Sequence, residues 1–273
     1  MSKFEFKIKK LCKDTWLIEG DGCTSYVVAG EKEVIMIDNG YGVYDIRSFA
    51  EEIIGRAIKI TINTHGHFDH GGGNGLFETV YMAKAGEAGA KTPYPSFANT
   101  SFPEGYFEYQ PCYVKEGDTI DLGNRVLEIF DIPSHSPGDI AILDRTERIL
   151  FVGDNAGEHV MLMYQQKDPQ PTIEQYAIHL RKLIEHYQEY DYICSGHGAD
   201  IQDKEVLKKL LSNAEHIIEG NEGIPFPLMD NQEEENDDGP RKGDFVMYLP
   251  EYKRMSLYND VGIGYDCRYV MNL

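Results

Sequence analysis

The stretch Thr64-His65-Gly66-His67-Phe68-Asp69-His70-Gly71-Gly72-Gly73 places three imidazoles and one carboxylate within six residues. Such a run makes a poor core segment, because every ring nitrogen and carboxylate oxygen needs a partner once it leaves water. A divalent metal ion supplies that partner. On an extended or tightly turned backbone His65 and His67 point the same way. Asp69 and His70 lie past Phe68 and reach a second point, so one run can feed two metal ions.

Three more polar residues downstream each close an apolar run. They are His135 in Asp131-Ile132-Pro133-Ser134-His135-Ser136-Pro137-Gly138, Asp154 in Ile149-Leu150-Phe151-Val152-Gly153-Asp154-Asn155, and His197 in Tyr192-Ile193-Cys194-Ser195-Gly196-His197-Gly198. Glycine or proline beside each lets the backbone turn sharply and approach a bound ion. The preceding Lys59 to Asn63 alternates polar and apolar, as a half-buried strand does, so the first cluster begins where a strand ends.

The order His-x-His-x-Asp-His, a distant His, Gly-Asp and a last Gly-His resembles the metallo-β-lactamase superfamily of binuclear metallohydrolases, over about Trp16 to His197. The resemblance implies one metal held by His65, His67 and His135, another by Asp69, His70 and His197, and Asp154 bridging them. A strand ending in Asp-x-Gly precedes the main motif in that family. Val34-Ile35-Met36-Ile37-Asp38-Asn39-Gly40 matches it, so Asp38 is expected to orient a ligand from behind. The implied fold is α+β, a four-layer αββα sandwich of two mixed sheets flanked by helices.

Imidazole and carboxylate ligands without thiolate suit two zinc ions first, with iron and manganese as alternatives. The expected activity is metal-dependent hydrolysis, a bridging hydroxide attacking an ester, thioester, lactone or amide of a small molecule. Asp154 shares the two ions, and Asp69 both ligates and takes the proton. Glyoxalase-II-like thioesterases and lactonases are the nearest candidates within the family. Its glutathione-handling members carry a C-terminal helical region, whereas this chain ends in an acidic run and strands. The alternative is an iron-dependent redox enzyme of the same fold, a dioxygenase or an oxygen or nitric oxide reductase. The diiron branch, however, carries Glu where this chain has Phe68. An RNA-processing nuclease ranks third.

The positioning elements follow from periodicity. Phe4 to Ile8, Thr15 to Glu19, Ser25 to Ala29 and Val34 to Asp38 read as a strand meander, and Tyr44 to Arg56 as an amphipathic helix. Asp118 to Leu122, Arg125 to Ile132, Asp139 to Asp144 and Arg148 to Val152 form a second strand set. Thr172 N-caps a helix to about His186, Tyr192 to Ser195 delivers His197, and Lys204 to Glu219 is a last helix. Residues 1–273 read as one domain, with an acidic linker at 230–240 and a C-terminal strand segment at 241–273.

Two segments lack periodicity. Residues 92–113 carry seven aromatics and suit either a lid over the metal pocket or a segment packed on the body. Ala156 to Pro171 follows Asp154 as irregular chain, and there His159 and Tyr164 are candidates for the substrate pocket. Tyr106, from the first segment, joins them, since a phenol can donate to a developing oxyanion.

The formal charge of −20 over 273 residues, with no basic stripe, opposes nucleic acid and anionic membranes as partners and leaves a small-molecule substrate. No run approaches 18 apolar residues. The cysteines Cys12, Cys23, Cys112, Cys194 and Cys267 are scattered and odd in number, which indicates a reducing, cytoplasmic setting.

Overall fold

The computed structural model describes residues 6–162, 171–198, 201–225 and 252–271. Antiparallel strands β1 (Lys7–Cys12), β2 (Thr15–Gly20), β3 (Cys23–Ala29) and β4 (Val34–Ile37) open the chain. Helix α1 (Ile46–Ile54) crosses over to β5 (Ile60–Ile62), parallel to β4. The one-turn helix α2 (Phe68–Gly71) leads to β6 (Thr79–Met82), and α3 (Glu87–Ala90) precedes β7 (Cys112–Tyr113). Together these seven strands form one mixed sheet in sequence order.

A second sheet begins with β8 (Thr119–Asp121), β9 (Val126–Asp131), β10 (Ile140–Asp144) and β11 (Ile149–Gly153). The short strand β12 (His159–Met161) leaves it, and α4 (Ile173–Glu185) returns the chain to β13 (Tyr192–Ser195), parallel to β11, and β14 (Gln202–Asp203). Helix α5 (Glu205–Ile218) follows. Then β15 (Ile224–Pro225), β16 (Lys253–Tyr258) and β17 (Val261–Asp266) join β12 in a third, four-stranded sheet.

Strand alternation builds the layers. Tyr26, Val28, Ile35 and Ile37 face Ile129, Ile140, Ile142 and Phe151 across the two large sheets. The intervening Val27, Ala29 and Met36 turn outward onto Ile46 and Ala50 of α1. Ala141, Leu143, Leu150 and Val152 turn the other way, onto Leu180 of α4 and Leu207 and Leu210 of α5. The order helix, sheet, sheet, helix is the expected αββα sandwich. Local chemistry agrees: Thr172 and Gln175 close a capping box on α4, and Asp45 caps α1 by accepting from the Ser48 amide at 2.9 Å.

Three expectations change. Among the described residues the first strand runs Lys7–Cys12, past the expected end at Ile8, because the Lys13–Asp14 turn sets the hairpin register and pairs Lys7 with Glu19; Phe4 and Glu5 of the expected strand lie outside the described residues. Residues 159–161 are a strand, not irregular chain; three residues show no period, and their partner Gly262–Gly264 lies a hundred positions on. The tail strands and β12 therefore make a third sheet where two were expected. It is locked to α5 by Asn213, whose amide donates to the Ser256 and Val261 carbonyls at 3.2 and 3.1 Å. The expected linker at 230–240 and strand at Phe245 to Tyr248 lie outside the described residues. Among the described residues no helix is long and apolar enough to cross a membrane.

Arg125 stitches the sheets together. From the start of β9 its buried guanidinium pairs with Asp144 on β10 and donates to the Asp14 carbonyl at 3.0 Å and to Thr15 Oγ1 at 2.9 Å on the first sheet. Arg125→Met strands a buried Asp144, and we expect urea denaturation to show a loss of about 3–5 kcal/mol. Asp21, in the β2–β3 turn, is 7% exposed, and burial pushes its carboxyl up to about 6 although the Tyr44, Val43 and Gly42 amides oppose this. A raised acid pKa contributes stability at low pH that is lost as pH climbs through about 6. Asp21→Asn should thus be more stable than wild type by about 1–3 kcal/mol above that pH and converge with it below pH ~4, read by denaturation across pH.

Candidate metal centre

The polar residues singled out in the sequence gather at one end of the sandwich, where strands finish. Asp38 follows β4, His65 and His67 follow β5, and Asp69 and His70 sit in α2. His135 lies between β9 and β10, Asp154 follows β11, and His197 follows β13. Strand ends are rigid points from which short loops converge, so widely separated positions meet with little chain to order.

Three overlapping groups result, each with ligand atoms within 4.8 Å of one another: His65, His67 and His135; His65, His70 and Asp154; and Asp69, His70 and His197. Asp154 lies between the outer two. Its Oδ2 is 3.5 Å from His135 Nε2 and 3.3 Å from His197 Nε2, and its Oδ1 is 3.5 Å from His70 Nε2. Gly196 makes room for it, since a Cβ there would sit 2.2 Å from Asp154 Oδ1.

The surrounding hydrogen bonds assign the tautomers. Asp38 accepts from the Thr64 amide (2.8 Å), the Thr64 hydroxyl (2.7 Å) and His70 Nδ1–H (2.9 Å). With its proton given to Asp38, Thr64 Oγ1 accepts from His65 Nδ1–H at 3.1 Å. His135 Nδ1–H donates to the Met161 carbonyl at 2.6 Å. With Nδ1 committed in all three rings, Nε2 is the nitrogen that faces the site. His65 Nε2 and Asp154 Oδ1 are buried without any hydrogen-bond partner, and His135 Nε2 faces His67 Nδ1 at 2.9 Å. A divalent metal fits this donor set.

Electrostatics agree. Burial, then the neighbouring rings, holds His65 well below the usual imidazole range; burial and His135 bring His67 to about 4, so both rings are neutral at pH ~7 and able to coordinate. For His70 burial opposes charge, yet Asp154, Asp69 and Asp38 lift it well above its ordinary value. The field of the site favours positive charge. Asp154 itself stays ionised, because His70 and His197 outweigh the penalty of burial.

Several supporting residues escaped the sequence reading. Asp139, 1% exposed, accepts from the Ser134 and Ser136 amides at 2.9 and 2.7 Å and so shapes the loop that presents His135. Asn39, Asn63 and Asn74 form a buried chain beneath α2 in which Asn63 donates to the His70 carbonyl at 3.0 Å. Tyr94 donates to Asp69 Oδ1 at 2.7 Å; burial and then the Asp69 charge raise its phenol, which therefore remains a donor.

A cleft of about 910 Å³ opens from Asp154, His135 and His197 between β12, β17 and α5. His159 lines it, at the position expected of a substrate contact. Tyr106 does not: its ring packs on Phe102 and Phe107, and its hydroxyl turns to the Gly42 carbonyl at 3.5 Å, because the segment's aromatics bury one another. Tyr164 lies outside the described residues. Replacing Asp38 with Asn would put an amide where His70 and Thr64 need an acceptor. Competition with a chelator should then show metal affinity reduced about 10–100-fold.

Residues 18–197 match the model of the metallo-beta-lactamase superfamily. The chain is 27% identical over 197 residues to human acyl-coenzyme A thioesterase MBLAC2, across 61% of this chain and 68% of that one. It is 36% identical over 92 residues to hydroxyacylglutathione hydrolase of Maricaulis maris, covering 34% of this chain and 31% of the relative. It is also 26% identical over 159 residues to coenzyme F420H2 oxidase of Methanocaldococcus jannaschii, 53% of this chain and 36% of the relative. Among solved structures, a metallo-beta-lactamase from Pontibacter korlensis superposes with a TM-score of 0.59 at 15% identity, over 77% of this chain and 99% of that one, which shows the shared fold. With its motif residues inside the matched span and gathered at the strand ends, this chain belongs to the metallo-beta-lactamase superfamily.

Proposed function

We propose that the chain is a binuclear metal-dependent hydrolase that cleaves a thioester, or a related ester or lactone, of a small acyl substrate. The observation that carries the reading is the set of three overlapping ligand groups with lone pairs converging on unpartnered buried atoms. His65, His67 and His135 would hold one divalent ion and Asp69, His70 and His197 the other, with Asp154 serving both; zinc suits these donors first. Ions bound there would supply an activated water at neutral pH and polarisation of the substrate carbonyl.

The protein's own groups do the rest. Asp38, through Thr64 and directly, holds His65 and His70 in the tautomers that ligate. Asp69, with Oδ2 turned into the site, is placed to take the proton released by the attacking water. His159 stands in the cleft wall within the substrate's volume. His197, its side chain 52% exposed, marks the mouth through which an acyl group enters.

The thioesterase and hydroxyacylglutathione hydrolase relatives support the bond. They do not carry over the handle. Among the described residues lining the cleft, Glu158, Asp203, Glu205 and Asp260 outnumber Lys209, and phosphates would be repelled. A neutral or cationic leaving group is the better match. The similarity to an F420H2 oxidase bears on the iron alternative, but Phe68, fully buried, occupies the place where the diiron branch carries Glu.

Metal analysis of the purified protein and hydrolysis of a panel of neutral acyl thioesters, acyl-CoA, lactones and β-lactams test this reading. We expect two zinc equivalents and turnover fastest on the neutral thioesters; a visible iron spectrum with no hydrolysis would replace it with the redox reading. Asp154→Ala should lower metal occupancy and slow turnover by three orders of magnitude or more, about 4 kcal/mol of barrier. An undiminished rate would reject the shared-carboxylate mechanism.

A further inference from the structure

We infer that Tyr94 is a positioning residue for the second metal position, and that segment 92–113 is tied to the metal centre through its hydroxyl. This rests on the binuclear reading above and adds to it a residue outside the motif set.

Phe68 sits between the two halves of the ligand run and is fully buried. Phe97, Tyr94, Phe102 and Phe107 pack around it with ring centroids 5.5, 5.7, 6.0 and 6.1 Å away. Tyr41 closes the far side, 4.6 Å from Phe97 and 6.1 Å from Tyr94. The Tyr94 ring is thereby held by several neighbours, and its hydroxyl falls 2.7 Å from Asp69 Oδ1. With Oδ1 occupied, the carboxylate cannot rotate freely, and Oδ2 is the oxygen left 3.6 Å from His70 Nε2 and 3.5 Å from His197 Nε2.

The two positions differ in how they are supported. His65 and His135, in the first group, are almost wholly buried and anchored by Thr64 and by the Met161 carbonyl. In the second group His197 is half exposed. A ligand set with one half-exposed member depends more on the remaining carboxylate being aimed in advance.

Cobalt(II) titration of the metal-free protein, followed by its visible spectrum and by chelator competition, reads the two sites separately. In Tyr94→Phe, which removes the hydroxyl and keeps the ring, we expect the second equivalent to bind about 10–100-fold more weakly with the first unchanged. Phe107→Leu, which loosens the same cluster and keeps the hydroxyl, should titrate as wild type. Two wild-type steps in Tyr94→Phe overturn the inference. So does equal weakening of both steps, or the same second-site loss in Phe107→Leu. Wild-type protein that takes up no cobalt at all would instead remove the binuclear reading, and this inference with it.

Discussion

The structure turns on the cost of burying ionisable groups without a partner. Five imidazoles and three carboxylates, counting Asp38, occupy one end of the sandwich, and two of their buried atoms, His65 Nε2 and Asp154 Oδ1, make no hydrogen bond. A native fold tolerates that concentration only where a cation completes it. Asp38 is the hub of the arrangement. It sits in the left-handed region at φ 55°, a conformation that aspartate tolerates better than most residues, and from there one carboxylate fixes two rings at once.

The sandwich supplies the rigidity this needs. Asp38, His65, Asp154 and His197 stand just beyond strands whose inward residues are locked in the core between the sheets, so the loops are short and their ends fixed. Arg125 and Asp144 hold the same two sheets together at the opposite end of β10, with the buried charges satisfied by first-sheet backbone carbonyls. The relative placement of His65 on one sheet and Asp154 on the other therefore depends on contacts far from either.

Two additions individualise the chain. The third sheet, built from β12 and the tail hairpin, forms one wall of the cleft and carries His159 into it. Its Met161 carbonyl also anchors His135, so the wall and the metal centre share a strand. The aromatic segment packs on Phe68, and its Tyr94 hydroxyl donates to Asp69.

Much of this was legible along the chain. The continuous apolar runs of β3 and β10, the helical period of α4, the Thr172 cap, and the candidate metal-binding residues with their strand-end setting are local properties: run length, period, capping and residue type need no distant partner to be recognised. Other features had no local sign. β12 is too short to show a period and exists only because the tail returns to pair with it. Tyr94 lies 25 positions from Asp69 among many aromatics, and Tyr106 resembled it in sequence while turning to Gly42 instead. Residue type and spacing determined which groups can bind metal; only the folded chain decided which oxygen or nitrogen of each faces the site, because that orientation is set by hydrogen bonds and ring packing between segments far apart in sequence.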